Sequence, residues 1–275
     1  MEGFLIGLLN SAAPLMMAGL GALLSDLSGA LGIFIEGFMT GGAFFSWVFT
    51  LWTGSALLGT LLSASLAAVS GWALARFVRL SGANPFIAGL ALNLAASGIT
   101  LSLSAAWFGT KGVIQNPGIS IPEVSLFTFA AWIFALIIAL GLKRTVLGLR
   151  LRASGLSEET AAERGIRPGL YREGAWATAA FLAAMAGAAL TFRVGAYAPG
   201  GIAGRGWIAL AAVYLGFRKP WGVVAAAFVF SFAERIGYSI QGFGALSPTA
   251  LLGLPSALAL LLYFISLLFQ KKKRC

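Results

Sequence analysis

A chain built from repeated apolar runs of about twenty residues has few folds open to it. Such runs occupy residues 4–24, 32–49, 56–75, 86–108, 124–142, 174–192, 221–240 and 249–269. Hydrocarbon offers the backbone no hydrogen-bond partners, so only helices or a closed barrel can cross it. Continuous runs of this length predict helices. A soluble domain carries about a quarter charged residues; this chain carries 10% and is 59% hydrophobic. The 36 glycines suit helices whose backbones approach closely in lipid. The expected fold is all-α, a polytopic transmembrane bundle of about eight to ten helices. Residues 206–217 are apolar but too short to span upright.

The charges that remain are placed unevenly. Residues 143–173 carry Lys143, Arg144, Arg150, Arg152, Arg164, Arg167 and Arg172, interleaved with Glu158, Glu159, Glu163 and Glu173. They divide the chain into a first half (1–142), a hydrophilic loop (143–173) and a second half (174–275). Lys and Arg collect at the cytoplasmic ends of spans. With the loop in the cytoplasm, alternation puts Arg76, Arg79, Arg218, Lys219, Lys271, Lys272, Lys273 and Arg274 on the same side. Of 19 basic residues, Lys111, Arg193, Arg205 and Arg235 alone fall elsewhere. The expectation is a multi-pass protein of the bacterial cytoplasmic (inner) membrane, with its N-terminus outside and its C-terminus in the cytoplasm. The net charge of +10 therefore reflects topology and lipid headgroups, and no nucleic acid partner is expected. There is no His, and the single Cys is Cys275, so neither an internal disulfide nor a Cys/His metal cluster can form. No basic segment precedes the first run, which predicts a retained span. Asn10, Ser11 and Pro14 predict a break within it.

Two Gly-rich apolar segments resemble each other, one in each half: residues 29–43 and 200–212. Paired interrupted segments of this kind point to a translocation pathway between repeats, although glycine alone also serves close packing. Glu36 lies in the first segment, with Phe38 beside it, and Arg205 and Trp207 lie in the second. A charge at mid-membrane is costly and faces a partner or a wet cavity; Glu36 reads either that way or as a solvated end charge. Arg205 reads as an anchor at the outer mouth. Asn93 interrupts an apolar span and either contacts a solute or bonds a neighbouring helix. Phe34, Phe38, Phe44 and Phe45 are candidates for an apolar lining suited to a base-bearing solute. Glu234 and Arg235 mark the outer end of their span.

The hydrophilic loop contains a short helix. Ser157 is a good N-cap, Glu158 and Glu159 suit the first turn, Gly165 suits the position after the last turn, and Pro168 stops continuation. Two turns are not stable alone in water, so this helix needs a surface to dock on.

The order Gly148-Leu149-Arg150-Leu151-Arg152-Ala153-Ser154-Gly155, then Ala161-Ala162 and Gly165-Ile166, resembles the cytoplasmic loop of ABC-importer permeases. The similar group is the branched-chain amino acid/ribose-type superfamily, in its simple-sugar and nucleoside branch. Ala13-Pro14, Glu36-Gly37, Gly42-Ala43, residues 89–93 and residues 204–211 continue the resemblance in order along nearly the whole chain. Gly32, Asp26 and Pro255-Ser256 depart from its usual pattern. The resemblance implies a permease paired with a second, related permease, here a heterodimer. It also implies ABC ATPase subunits below and an extracytoplasmic binding (lipo)protein above that delivers a nucleoside or simple sugar. Ala153, Gly155, Ser157, Ala161, Ala162 and Gly165 would then form the ATPase-coupling element, and Glu36, Phe38, Asn93, Arg205 and Trp207 the substrate pathway. The chain has no phosphate-binding Gly-x-x-x-x-Gly-Lys-Ser/Thr loop, so ATP and Mg are expected on the partner ATPase and no cofactor or catalytic residue on this chain. The alternative is an ion-coupled secondary transporter of a small polar solute, for which Glu36 would be the candidate carboxylate. A membrane enzyme finds no paired carboxylates or nucleophile–base pair.

Overall fold

The computed structural model describes residues 2–115 and 124–241. The expected span at 249–269, the basic cluster at 271–274, Pro255-Ser256 and part of the loop after residue 115 lie outside the described residues.

Among the described residues ten helices follow one another: α1 (Glu2–Leu27), α2 (Ile35–Thr53), α3 (Ala56–Ser81), α4 (Pro85–Phe108), α5 (Val124–Arg144), α6 (Val146–Leu156), α7 (Glu158–Glu163), α8 (Pro168–Val194), α9 (Arg205–Leu215) and α10 (Pro220–Gln241). No strand is found among the described residues, apart from a single bridge between Ile114 and Tyr197. Of these helices α1, α3, α4, α5 and α8 have both the length and the apolar content to cross a membrane. The all-α polytopic bundle expected from the sequence is what forms. α1 runs unbroken through Pro14, against expectation. Ser11 donates to the Gly7 carbonyl within that helix, and Thr128 of α5 donates to Asn10, so the polar residues there are partnered rather than disruptive. α8 begins at Pro168, inside the stretch assigned to the loop, because a proline that cannot continue α7 is well suited to open the next helix.

α1 and α8 form the centre and are buried along most of their length. α5, α9 and α10 pack on α1, while α2 and α3 pack on α8. α4 rests almost entirely on α2. Burial between helices is carried by small residues. At the crossing of α2 and α8, a Cβ on Gly187 would strike the Met39 carbonyl, and one on Gly42 would strike the Ala184 backbone. The outer faces are large and apolar, as lipid-facing surfaces are: Leu94 is 72% exposed and Leu61, Leu62 and Leu66 are all exposed on α3. α4 is inside-out relative to a soluble helix. Its buried positions are Gly89, Asn93, Thr100 and Ser104, one small and polar stripe facing α2.

The loop helices α6 and α7 sit at the same end of the bundle as Arg79 and Arg218. There Arg79 pairs with buried Glu173 at 2.6 Å, and Trp72 Nε1 donates to the same carboxylate. Arg218 pairs with Asp26 at the end of α1 at 2.5 Å, and Tyr214 donates to that carboxylate.

The crossing of α2 and α8 gives a direct test. Gly187→Ala forces a backbone shift and should destabilise the detergent-solubilised protein by roughly 1–3 kcal/mol. Gly98→Ala, at a helical site with nothing within 4 Å, should be neutral or stabilise by up to about 1 kcal/mol. Thermal unfolding of the two variants side by side checks the pair.

Candidate translocation site and docking helix

α2 and α9 are the helices that the two Gly-rich segments become, and both start inside the bundle. α9 has 11 residues, hence a length of about 16 Å. Its last turn reaches Asp26 at the charged end through Tyr214. Its first turn therefore lies near the middle of a hydrocarbon core about 30 Å thick. A helix that starts there exposes backbone N–H groups away from bulk water, so they need partners within the protein.

Each of the two starts carries an N-cap residue that makes no side-chain cap, Phe34 for α2 and Gly204 for α9. In both cases another helix supplies the cap. Asn93 of α4 accepts the Gly37 N–H at 2.7 Å and donates to the Ile33 carbonyl at 2.8 Å. Glu36 of α2 accepts the Gly204 N–H at 2.9 Å and the Gly206 N–H at 2.6 Å. The carboxylate also meets the positive end of the α9 dipole. Gly206 permits this approach, since a Cβ there would lie 2.7 Å from the Glu36 Cα. The turn into α9 is left-handed at Gly200, Ala203 and Gly204. For Ala203 that conformation costs about 1–2 kcal/mol, which the surrounding contacts must offset.

Asn93, Glu36 and the start of α9 thus form one connected unit that joins both halves of the chain. A cavity of about 430 Å³ opens beside it, lined by Glu36, Thr40, Ser97, Thr100 and the 199–203 turn. A second cavity of about 310 Å³ lies between α2, α3 and α4, lined by Phe38, Phe45, Ala67, Leu92 and Ile99. Thr100 borders both.

The structure separates the expected pathway residues. Glu36 and Phe38 line these cavities, and Asn93 sits behind them, bonded to the start of α2. Arg205 points the other way, 3.5 Å from Glu234 of α10, and borders a separate charged cavity of about 240 Å³ with Ser11, Arg193, Ser231 and Arg235. It pairs with α10 and bonds the Gly201 and Ile202 carbonyls of the turn before α9. Trp207 lies on the outer face of α9 and borders neither cavity. Phe34 packs against Trp176, and Phe44 packs against Trp107 and Tyr197, so both belong to the core. Thr40, Ser97 and Thr100 were not among the residues expected from the sequence. Their signal was present: Gly89, Asn93, Thr100 and Ser104 recur at helical spacing within an apolar span.

At the charged end the short helix forms as α7, with Ser157 accepting the Thr160 N–H and Gly165 in the left-handed region. It is clamped to its own chain by the Glu158–Arg172 ion pair. Of the six expected coupling residues, Ser157, Ala162 and Gly165 are exposed and Ala153 is half-buried. Ala161 is 3% exposed and faces its own chain. Gly155 meets the turn after α1, where a Cβ would collide with the Leu27 carbonyl. Those two therefore seat the element, and the outward face is completed by Leu156, which is 86% exposed.

No solved structure matches this chain. Among curated proteins it is 29% identical to one from Haloferax volcanii provisionally named a glucose ABC transporter permease, across 90% of this chain and 82% of that one. It is 29% identical to the guanosine ABC transporter permease of Bacillus subtilis, across 82% and 78%. It is 28% identical to the nucleoside ABC transporter permease of Lactococcus lactis, across 80% and 77%. The family model described as branched-chain amino acid transport system / permease component matches residues 4–270. With five apolar helices long enough to cross a bilayer among the described residues and that match over almost its whole length, the chain belongs to this family and is a multi-pass permease subunit of an ABC importer.

Proposed function

We propose that this permease carries nucleosides inward, with α7 as the element through which a separate ATPase drives it. The observation that carries the reading is the geometry of α7. It is a six-residue helix, too short to persist alone, seated through Ala161 and the Glu158–Arg172 pair and presenting Leu156, Ser157, Ala162 and Gly165 outward. A groove of the ATPase covers that face. ATP and Mg belong to that partner, since this chain has no phosphate-binding loop. The excess of Lys and Arg in this loop supports a cytoplasmic position for α6 and α7, and alternation of the spans would bring the C-terminus to the same side. A second, related permease completes the pathway as a heterodimer, and an extracytoplasmic binding protein delivers the solute. Two of the relatives carry guanosine or nucleoside in their names, which favours nucleosides over simple sugars. Ion coupling is not favoured: Glu36, its candidate carboxylate, is held by two backbone N–H groups as a helix cap.

ATP binding acts here as a bias on a two-state membrane assembly, transmitted as rigid-body movement of α7. Ala162→Glu changes the outward face alone. It should leave thermal unfolding unchanged while ATPase co-purification and uptake fall at least about tenfold, roughly the loss of one well-packed interface residue. Ala161→Glu buries a charge and should instead destabilise the permease by roughly 2 kcal/mol or more. Normal uptake by Ala162→Glu removes the docking role from this face.

Co-purification from native membranes in mild detergent tests the assembly. An ATPase and a second permease are expected. An ATPase without a second permease would make the pair a homodimer, and a folded preparation with no ATPase would overturn the coupling reading.

A further inference from the structure

The hydroxyl groups beside Glu36 are back-bonded to their own helices, as Ser and Thr in helices commonly are, and here that leaves their acceptor sides at a cavity. Thr40 Oγ1 donates to the Glu36 carbonyl at 2.9 Å, Ser97 Oγ to the Asn93 carbonyl at 3.1 Å, and Thr100 Oγ1 to the Ala96 carbonyl at 2.8 Å. Each hydroxyl has one proton and two acceptor lone pairs. All three spend the proton on their own helix; Thr40 and Ser97 keep acceptor capacity for the cavity, and Thr100, which also meets the Tyr197 hydroxyl, keeps part of its own. The Glu36 carboxylate accepts one N–H on each oxygen and retains a further acceptor site on each. The side chains of this compartment therefore offer acceptors and no donors. An anion would meet lone pairs and a negative charge, whereas a polyol would meet a partner for each O–H.

The adjoining compartment has the opposite character. Phe38 and Phe45 line it with Leu92, Ala95 and Ile99. A flat, apolar group fits such walls, and aromatic faces stack on nucleobases without regard to sequence. Thr100 forms the wall between the two compartments.

We infer that the two cavities are one divided slot for an uncharged nucleoside, with the base between Phe38 and Phe45 and the sugar hydroxyls donating to Glu36, Ser97 and Thr100. The inference rests on the importer reading and narrows its solute class: nucleosides enter, phosphorylated nucleotides do not. Glu36 then has two tasks. It holds the start of α9 in place and, aimed by that same contact, receives the sugar.

The test uses the whole complex, with ATPase, second permease and binding protein, in proteoliposomes. Uptake of guanosine is compared with that of its dideoxyribose analogue, which lacks the vicinal diol. The binding protein is common to every arm, so a change in the ratio between the two solutes belongs to the permease. Ser97→Ala with Thr100→Val removes acceptors without touching the α9 cap. It should lower guanosine uptake about tenfold, the cost of one or two lost hydrogen bonds, and leave the analogue within about twofold. Glu36→Gln should collapse the ratio in the same way; if its thermal unfolding shows a misfolded protein, the Ser97/Thr100 variant decides alone. An equal fall for both solutes, or no fall for either, overturns the slot and leaves the importer reading standing. A wild-type complex that moves glucose and no nucleoside overturns the nucleoside reading and the slot with it.

Discussion

Two helices that begin inside a membrane need partners for their first N–H groups, and their own lead-in turns supply only some: Ile35 and Arg205 bond to the Gly32 and Ile202 carbonyls, while Gly37, Gly204 and Gly206 take side chains of other helices. That requirement organises the structure. Phe34 and Gly204 cannot cap the helices they precede, so Asn93 and Glu36 reach in from neighbouring helices. Water would serve at the surface of a soluble protein; in hydrocarbon each unsatisfied group costs several kcal/mol. The caps are therefore structural obligations first. Because they join α4 to α2 and α2 to α9, they also make the two halves of the chain a single unit at mid-depth.

Close packing comes from the same solvent. Lipid is as apolar as leucine, so helices gain little from burying leucine and associate through backbone proximity and polar contacts. The crossing of α2 and α8 is made by Gly42 and Gly187, and that of α1 and α8 by Gly21 against Ala179. The large side chains are pushed outward on α3, α4 and α5. α4 shows the consequence most clearly, with a buried stripe of Gly89, Asn93, Thr100 and Ser104. A stripe of that chemistry leaves hydroxyl groups beside the cap, where a cavity can use them.

The fold was legible because length and apolarity are properties of a segment read alone. The short α9 was visible for the same reason, as was α7, whose Ser157, Gly165 and Pro168 are local signals. The pairing of the two Gly-rich segments was visible as similarity, but not which atoms would meet. Glu36 drew attention as a charge; that it ends on the amides of Gly204 and Gly206 depends on a chain reversal between residues far apart in sequence. The six residues proposed for coupling were picked out by their resemblance to a motif, and a motif does not say which side faces inward. Ala161 and Ala162 are neighbours of the same type, yet one is buried and the other exposed, because helical phase relative to α8 decides it. Trp207 and Arg205 stood beside the right glycines and face away from the cavity for the same reason.

The docking helix and the mid-membrane unit are joined by short routes even though one is outside the apolar core and the other within it. α7 follows α6 directly, and Gly155 of α6 packs on the turn at Leu27–Gly29, where Gly29 has a positive φ. Seven residues after that turn comes Glu36, and Glu36 holds α9. Arg172 binds Glu158 on α7 while its helix, α8, continues to the Gly187 crossing with α2. Both routes pass through backbone contacts that admit no added methyl group, and such contacts transmit displacement instead of absorbing it. On the proposed coupling reading, a movement imposed on α7 would have two contacts through which to reach α2, its first turn and its crossing with α8. The residue that α2 carries to the start of α9 is the one that faces the cavity.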